Sequence, residues 1–240
     1  MMGTRFTAAV LACVTLTGMG CAGPEARATE PPTAAGAARD YVFVLIKTGP
    51  ATGLTPEAQR EAFAGHFSNM KRLAEAGELL IAGPFGEPRD PTHRGLFVID
   101  ETTVEAGMVH AATDPTTVAG IFTLEGHLFT TDAPLVDLLR LEKEDEARRL
   151  ADPEVPDAWE GRRYVLATAA FVEDLYQQVQ SAEGVLIAGR LHGAGEEGGD
   201  EVLVWLDAEG VEAAKAMLPE AGRWTLHGWY GSRMVAQIAE

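Results

Sequence analysis

Leu79-Leu80-Ile81-Ala82-Gly83 recurs as Val185-Leu186-Ile187-Ala188-Gly189, 106 positions downstream. Further along, Leu96-Phe97-Val98-Ile99-Asp100 recurs as Leu203-Val204-Trp205-Leu206-Asp207, and Val104-Glu105-Ala106 as Val211-Glu212-Ala213, both at an offset of 107. Upstream, Tyr41-Val42 matches Tyr164-Val165 at an offset of 123, so the second copy is about 17 residues shorter before its second strand. Matches in the same order at consistent spacing mark an internal duplication.

Each copy reads as strand, helix, strand, strand, helix, strand. In the first, Tyr41 to Lys47 is an apolar strand run, and Thr55-Pro56 is a cap followed by a helix-starting proline. Phe63, Phe67, Met70 and Leu73 recur at helical spacing, and Gly77 is placed to end the helix. Leu79–Ala82 and Leu96–Asp100 are short strands joined by a Gly/Pro-rich loop, Pro84 to Gly95. Thr102 caps a second helix with Val104, Met108 and Ala111 on its buried face, and Val118–Thr130 is a last strand with an irregularity at Gly126. In the second copy, Tyr164–Thr168, Phe171–Ala182, Val185–Ala188, Val202–Leu206, Ala208–Leu218 and Arg223–Tyr230 take the same parts.

A βαββαβ unit of this kind is the ferredoxin-like split motif, one antiparallel sheet with two helices on one face. The other face needs cover, so the expected fold is α+β: two tandem ferredoxin-like units whose sheets pack face to face as an intramolecular dimeric α+β barrel. On this reading the chain is a monomer with an internal pseudo-dimer. Residues 41–131 form the first unit, 132–161 a charged helical linker, and 162–240 the second unit.

The N-terminus carries separate signals. Arg5 followed by the apolar run Phe6–Leu16 reads as an export signal over residues 1–20, too short for a membrane-spanning helix, which needs ~20 apolar residues. The run leads to Gly18-Met19-Gly20-Cys21, which resembles a bacterial lipobox, making Cys21 the expected lipidation site and only membrane anchor. The Ala/Gly/Pro/Thr-rich stretch to residue 40 has the composition of a tether. The expected location is the bacterial cell envelope, outside the cytoplasm. Both cysteines, Cys13 and Cys21, fall in this region, so the body contains neither disulfide nor thiolate metal site.

Composition excludes other classes. With 46% hydrophobic and 23% charged residues the chain is not globally disordered. Its 19 Lys+Arg against 36 Asp+Glu, a net −17, argue against a nucleic-acid partner, whose phosphates need clustered cations. No His-x-x-x-His or His-Glu-x-x-His pattern is present, so neither a metal nor another cofactor is expected. Gly193–Gly199 carries two carboxylates and reads as a mobile hairpin loop rather than a phosphate cradle. Trp159, Trp205, Trp224 and Trp229 read as core filling, and His110 as exposed.

His66 in the first helix, Leu80-Ile81-Ala82-Gly83-Pro84, and Asp114-Pro115 followed by Ala119-Gly120 occur in an order that resembles the YCII-related family, over about residues 41–131. The resemblance implies a ferredoxin-like protein with a His/Asp acid–base dyad in a pocket between helix and sheet, and His66 and Asp114 match those positions. In the second copy, Val172 and a gap near Pro219 stand there instead, and Arg190 replaces the proline.

The residues support the same chemistry without the family. An imidazole exchanges a proton near neutral pH, and a carboxylate beside it fixes its tautomer and raises its basicity. The alternative is a half-buried core histidine with Asp114 capping a turn before Pro115. His93, Arg94 and Pro84, at the Pro84–Gly95 loop, are the candidate substrate-binding residues. Two functions stay open: a small-molecule enzyme of lyase, isomerase or dehalogenase type, or a non-catalytic binding or structural module tethered to the membrane.

Overall fold

Side chains alternate along each strand, and in several strands both faces are apolar. In β1 (Arg39–Thr48), Tyr41 and Phe43 join one core cluster while Val42, Val44 and Ile46 join another. A strand apolar on both sides needs cover on both sides. The computed structural model describes residues 37–152, 154 and 161–238. Cys21, the export signal and nearly all of the tether lie outside the described residues, as does Trp159.

The first half continues with α1 (Pro56–Glu75), β2 (Leu79–Gly86), β3 (His93–Ile99), α2 (Val104–Ala111), α3 (Pro115–Val118) and β4 (Phe122–Thr131). Helix α4 (Asp137–Ala151) follows, and the second half has β5 (Gly161–Ala170), α5 (Glu173–Gln180), β6 (Val185–Leu191), β7 (Glu201–Leu206), α6 (Val211–Met217) and β8 (Thr225–Ser232). A 3₁₀ turn, Arg233–Gln237, closes the described chain.

The eight strands form one closed antiparallel barrel in the order β1-β3-β2-β8-β5-β7-β6-β4. This corrects the expectation of two tandem ferredoxin-like units stacked by their sheet faces as a dimeric α+β barrel. Strand order does repeat, β4-β1-β3-β2 and β8-β5-β7-β6, but the sheets do not end at their own edges. They pair edge to edge, Phe85 and Gly86 opposite Trp229 and Gly228 at one seam, and Phe129 to Thr131 opposite Leu191 to Gly189 at the other. Closure removes the unpaired edges that two separate sheets would leave.

Three apolar layers result. Inside the barrel lie Tyr41, Phe43, Phe129, Tyr164, Trp205 and Trp229. Outside, α1 and α2 cover Val42, Val44, Phe97 and Ile99 of the first half. Helices α5 and α6 cover Val165, Val204 and Leu206 of the second. One end of the barrel is plugged by Leu135, just before α4, and Leu138 in its first turn, and by Met234 and Val235 of the C-terminal turn and Ile238 after it.

The repeated glycines sit at the seams. A Cβ on Gly83 would lie 2.1 Å from the Tyr230 carbonyl oxygen and 2.8 Å from the Trp229 ring. One on Gly189 would lie 2.3 Å from the Phe129 ring and 2.8 Å from the Thr130 oxygen. The same motif therefore marks, in each half, the spot where the other half comes closest.

Several boundaries move. Strand β2 runs through Pro84 to Gly86 and β3 begins at His93, so the expected Pro84–Gly95 loop shrinks to residues 87–92. Proline is tolerated because the β2–β8 ladder starts only after it, at Phe85. Thr103, rather than Thr102, caps α2, and its fully buried residues are Gly107 and Ala111, with Val104 and Met108 only half-buried. Val118 ends α3 instead of starting a strand, and β4 runs through Gly126 opposite Val44 without a register shift.

Candidate functional site

Thr55 caps α1 by accepting from the Ala58 amide at 3.2 Å and Pro56 opens the first turn; the helix packs outside the sheet with His66 near its middle. Asp114 is the cap of α3, where Pro115 supplies the preset backbone of a first helical position. The two helices meet at Gly65, where a Cβ would lie 2.8 Å from Pro115 Cγ. A side chain at that position would hold α3 away.

That approach joins the dyad. His66 Nδ1 lies 2.5 Å from Asp114 Oδ2. The other carboxylate oxygen, Oδ1, accepts from the Thr116 amide at 2.9 Å and the Thr116 hydroxyl at 2.6 Å. Asp114 thus does both things the sequence offered as alternatives, capping α3 with one oxygen and holding the histidine with the other. Asp114 is 1% exposed. Burial pushes its pKa up, but hydrogen bonds from His66 and Thr116 outweigh this and hold it below its ordinary value.

The imidazole stands among rings: stacked on Phe97 at 6.0 Å between centroids, and edge-on to Phe67 at 5.3 Å, Phe122 at 6.1 Å and Phe63 at 6.4 Å. With Nδ1 turned to Asp114, Nε2 has no hydrogen-bond partner among the described residues. The His66 side chain keeps 12% of its surface exposed, so this nitrogen is the one a ligand can meet. Phe67, at 65% exposure, and Val118 form an apolar rim on the two helices that carry the dyad.

The other site expectations land elsewhere. His93, Arg94 and Pro84 lie on β2 and β3, and their hydrogen-bond and ring partners among the described residues lie away from the dyad. Pro84 pairs with Gly95 in the ladder, and Arg94 Nε donates to the Thr48 hydroxyl at 2.8 Å. His93 packs against Phe85 and His227. His110 is half-buried rather than exposed, with Nδ1 3.0 Å from Glu78 and Nε2 3.2 Å from Glu101. In the second half Val172 stands just before α5, and Arg190 pairs with Asp200 and covers the Phe171 ring. Among the described residues no group of three or more His, Cys, Asp or Glu is placed to hold a metal ion.

Sequence reading missed Gly65, Thr116, Phe97 and Phe122 as parts of the site. A glycine inside a helical stripe, directly before the candidate histidine, was the available signal, because it marks a close approach.

No family model matches the chain, and no curated protein matches it. Among solved structures, one described as a "Putative Chlorite dismutase" superposes with a TM-score of 0.50 over 83% of this chain and 97% of that one, at 11% sequence identity. The likeness spans both halves of the barrel rather than one repeated unit. At that identity it extends to the fold alone.

Proposed function

We propose that the chain is an enzyme acting on a small molecule, with His66 as the group that moves a proton and Asp114 as the residue that orients it. The observation that carries this reading is the 2.5 Å contact from His66 Nδ1 to Asp114 Oδ2, with Thr116 fixing the second oxygen. In the reaction, Nε2 takes a proton from an activated carbon of the substrate. The C–H bond electrons shift into an adjacent carbonyl or expel a leaving group, and the imidazolium then returns the proton or passes it on. Isomerisation, lyase chemistry and dehalogenase-type elimination share this step. The resemblance of residues 41–131 to YCII-related proteins supports the same assignment, which rests on the dyad and not on the distant barrel likeness.

A second reading, a binding module without turnover, is favoured by the exposed Phe67 and Val118 beside the dyad. In either case Cys21 is proposed as a lipid anchor at the cell envelope, and Cys21→Ser should release the protein from membranes on fractionation. The functional test is a thermal-shift screen of a metabolite library on residues 40–240, followed by assay of the hits. His66→Ala is expected to lower turnover by ~10²–10⁴-fold with circular dichroism unchanged. Full activity in that variant would leave the binding module as the better reading.

A further inference from the structure

Inward-facing positions change character along the barrel. Residues directly opposite in an antiparallel ladder share a face. The interior residues Phe43, Leu45, Leu166 and Leu191 stand opposite His127, Glu125, His227 and Glu201 respectively, which places these four polar side chains inside. All lie at the end remote from α4 and the C-terminal turn, where β1 and β5 finish and β4 and β8 begin. Side-chain exposure falls from 46% at Glu125 to 12% at His127, so this end opens to water and narrows inward.

The charges at the rim are already matched. Lys47 Nζ donates to Glu125 Oε2 at 2.6 Å, and Glu125 Oε1 lies 3.0 Å from His127 Nε2. Burial lowers the pKa of both His93 and His227, favouring the neutral imidazole, and raises that of Glu201. Phe85, His93 and His227 form a triangle of rings with centroids 5.7 to 6.0 Å apart, a wall suited to another flat ring. Three buried polar atoms of the interior have no hydrogen-bond partner among the described residues: His227 Nδ1, Trp229 Nε1 and Trp205 Nε1. Buried polar groups ordinarily have one. The indoles can only donate, whereas His227 Nδ1 donates or accepts according to tautomer.

We propose that this open end of the barrel is a second small-molecule site, separate from the His66–Asp114 dyad, for an uncharged planar molecule bearing a hydroxyl, of the phenol class. A ligand with net charge would lose hydration where the surrounding charges already cancel. A hydroxyl donates to or accepts from His227 Nδ1 according to its tautomer, and the ring of the ligand packs on Phe85.

The test is calorimetric titration of the full chain with phenol, with Zn²⁺ in a parallel titration. Saturable one-to-one phenol binding is expected, weakened roughly tenfold in His227→Phe, the change one neutral hydrogen bond corresponds to. Thr168→Phe, which fills the interior beside His227 and gives up only the Thr168 hydrogen bond to Glu201, is expected to abolish it, and His66→Ala to leave it unchanged. Circular dichroism confirms that each variant is folded. Absence of phenol binding, or binding that survives both His227→Phe and Thr168→Phe, overturns the proposal. So does Zn²⁺ binding that depends on His93 and His227 and excludes phenol, which would make the pair a metal site.

Discussion

Glycine in the middle of a helix costs about 1 kcal/mol relative to alanine, and Gly65 stands one residue before His66 in the twenty-residue α1. The cost is offset by the approach of Pro115, and through it by the reach of Asp114 to His66. Gly65→Ala should therefore improve helix propensity while moving α3, so global stability changes by less than ~1 kcal/mol and the dyad loosens. The downfield Nδ1 proton of His66 in an NMR spectrum is the readout, and an unshifted signal would mean that Gly65 has no part in the site. Carboxylates give a second test. At Asp145, burial raises the pKa, but hydrogen bonds from Arg148, Arg233 and Arg149 outweigh it and bring the value down to about 2. A carboxyl depressed in the folded state contributes stability that is complete above its unfolded value near ~3.9 and lost as pH falls through the folded one. Asp114 acts in the same direction. The urea midpoint should thus drop between about pH 4 and pH 2, and Asp145→Asn, less stable at pH 7, should flatten that drop. An unchanged acid slope in the variant would show that Asp145 does not govern it.

Elements test how the barrel closes. Gly83→Ala puts a methyl 2.1 Å from a backbone oxygen of β8, which no rotamer relieves, whereas Gly189→Ala meets the Phe129 ring, which can turn, at 2.3 Å and a backbone oxygen only at 2.8 Å. Overpacking typically costs ~1–3 kcal/mol, so both variants should melt early in urea, with Gly83→Ala the more damaged; equal loss would mean the ring is as immovable as the backbone. These positions also show what was legible in the sequence. The strand runs, the α1 cap at Thr55 and the repeat are local patterns, and each led to an element near its observed place. Barrel closure was not legible, because Phe85 meets Trp229 across 144 positions and nothing in either strand's alternation names its partner. His66 and Asp114 stood out as residue types that do chemistry. Thr116 did not, since a threonine after Asp-Pro looks like any first-turn residue until its hydroxyl is seen 2.6 Å from the carboxylate. Likewise His127 and His227 each lie two residues before the aromatic that meets the other half's repeated glycine, a relation hidden because this stretch repeats at an offset of 100 rather than 106.

On the scale of the whole molecule, the two halves differ in what they keep. The first holds the dyad; the second, with Val172 before α5, supplies four strands, a helical cover and half of the interior. The joints between them are short: the β1–β4 ladder runs from Arg39 opposite Thr131 to Thr48 opposite Phe122, whereas one seam consists of Phe85 and Gly86 opposite Trp229 and Gly228. Joints this brief suffice in one chain because the stretch from Ala151 to Gly161 holds the halves at an effective concentration on the order of millimolar. A version cut between Asp152 and Gly161 should still assemble when both pieces are co-expressed, but with a melting temperature that rises with protein concentration, as mass action requires. The uncut chain should melt at the same temperature across a hundredfold dilution. Tethering thus takes the burden of partner-finding off the seams, and leaves the second half free to change any residue that neither lines the interior, nor packs beneath α5 and α6, nor faces the first half's edges.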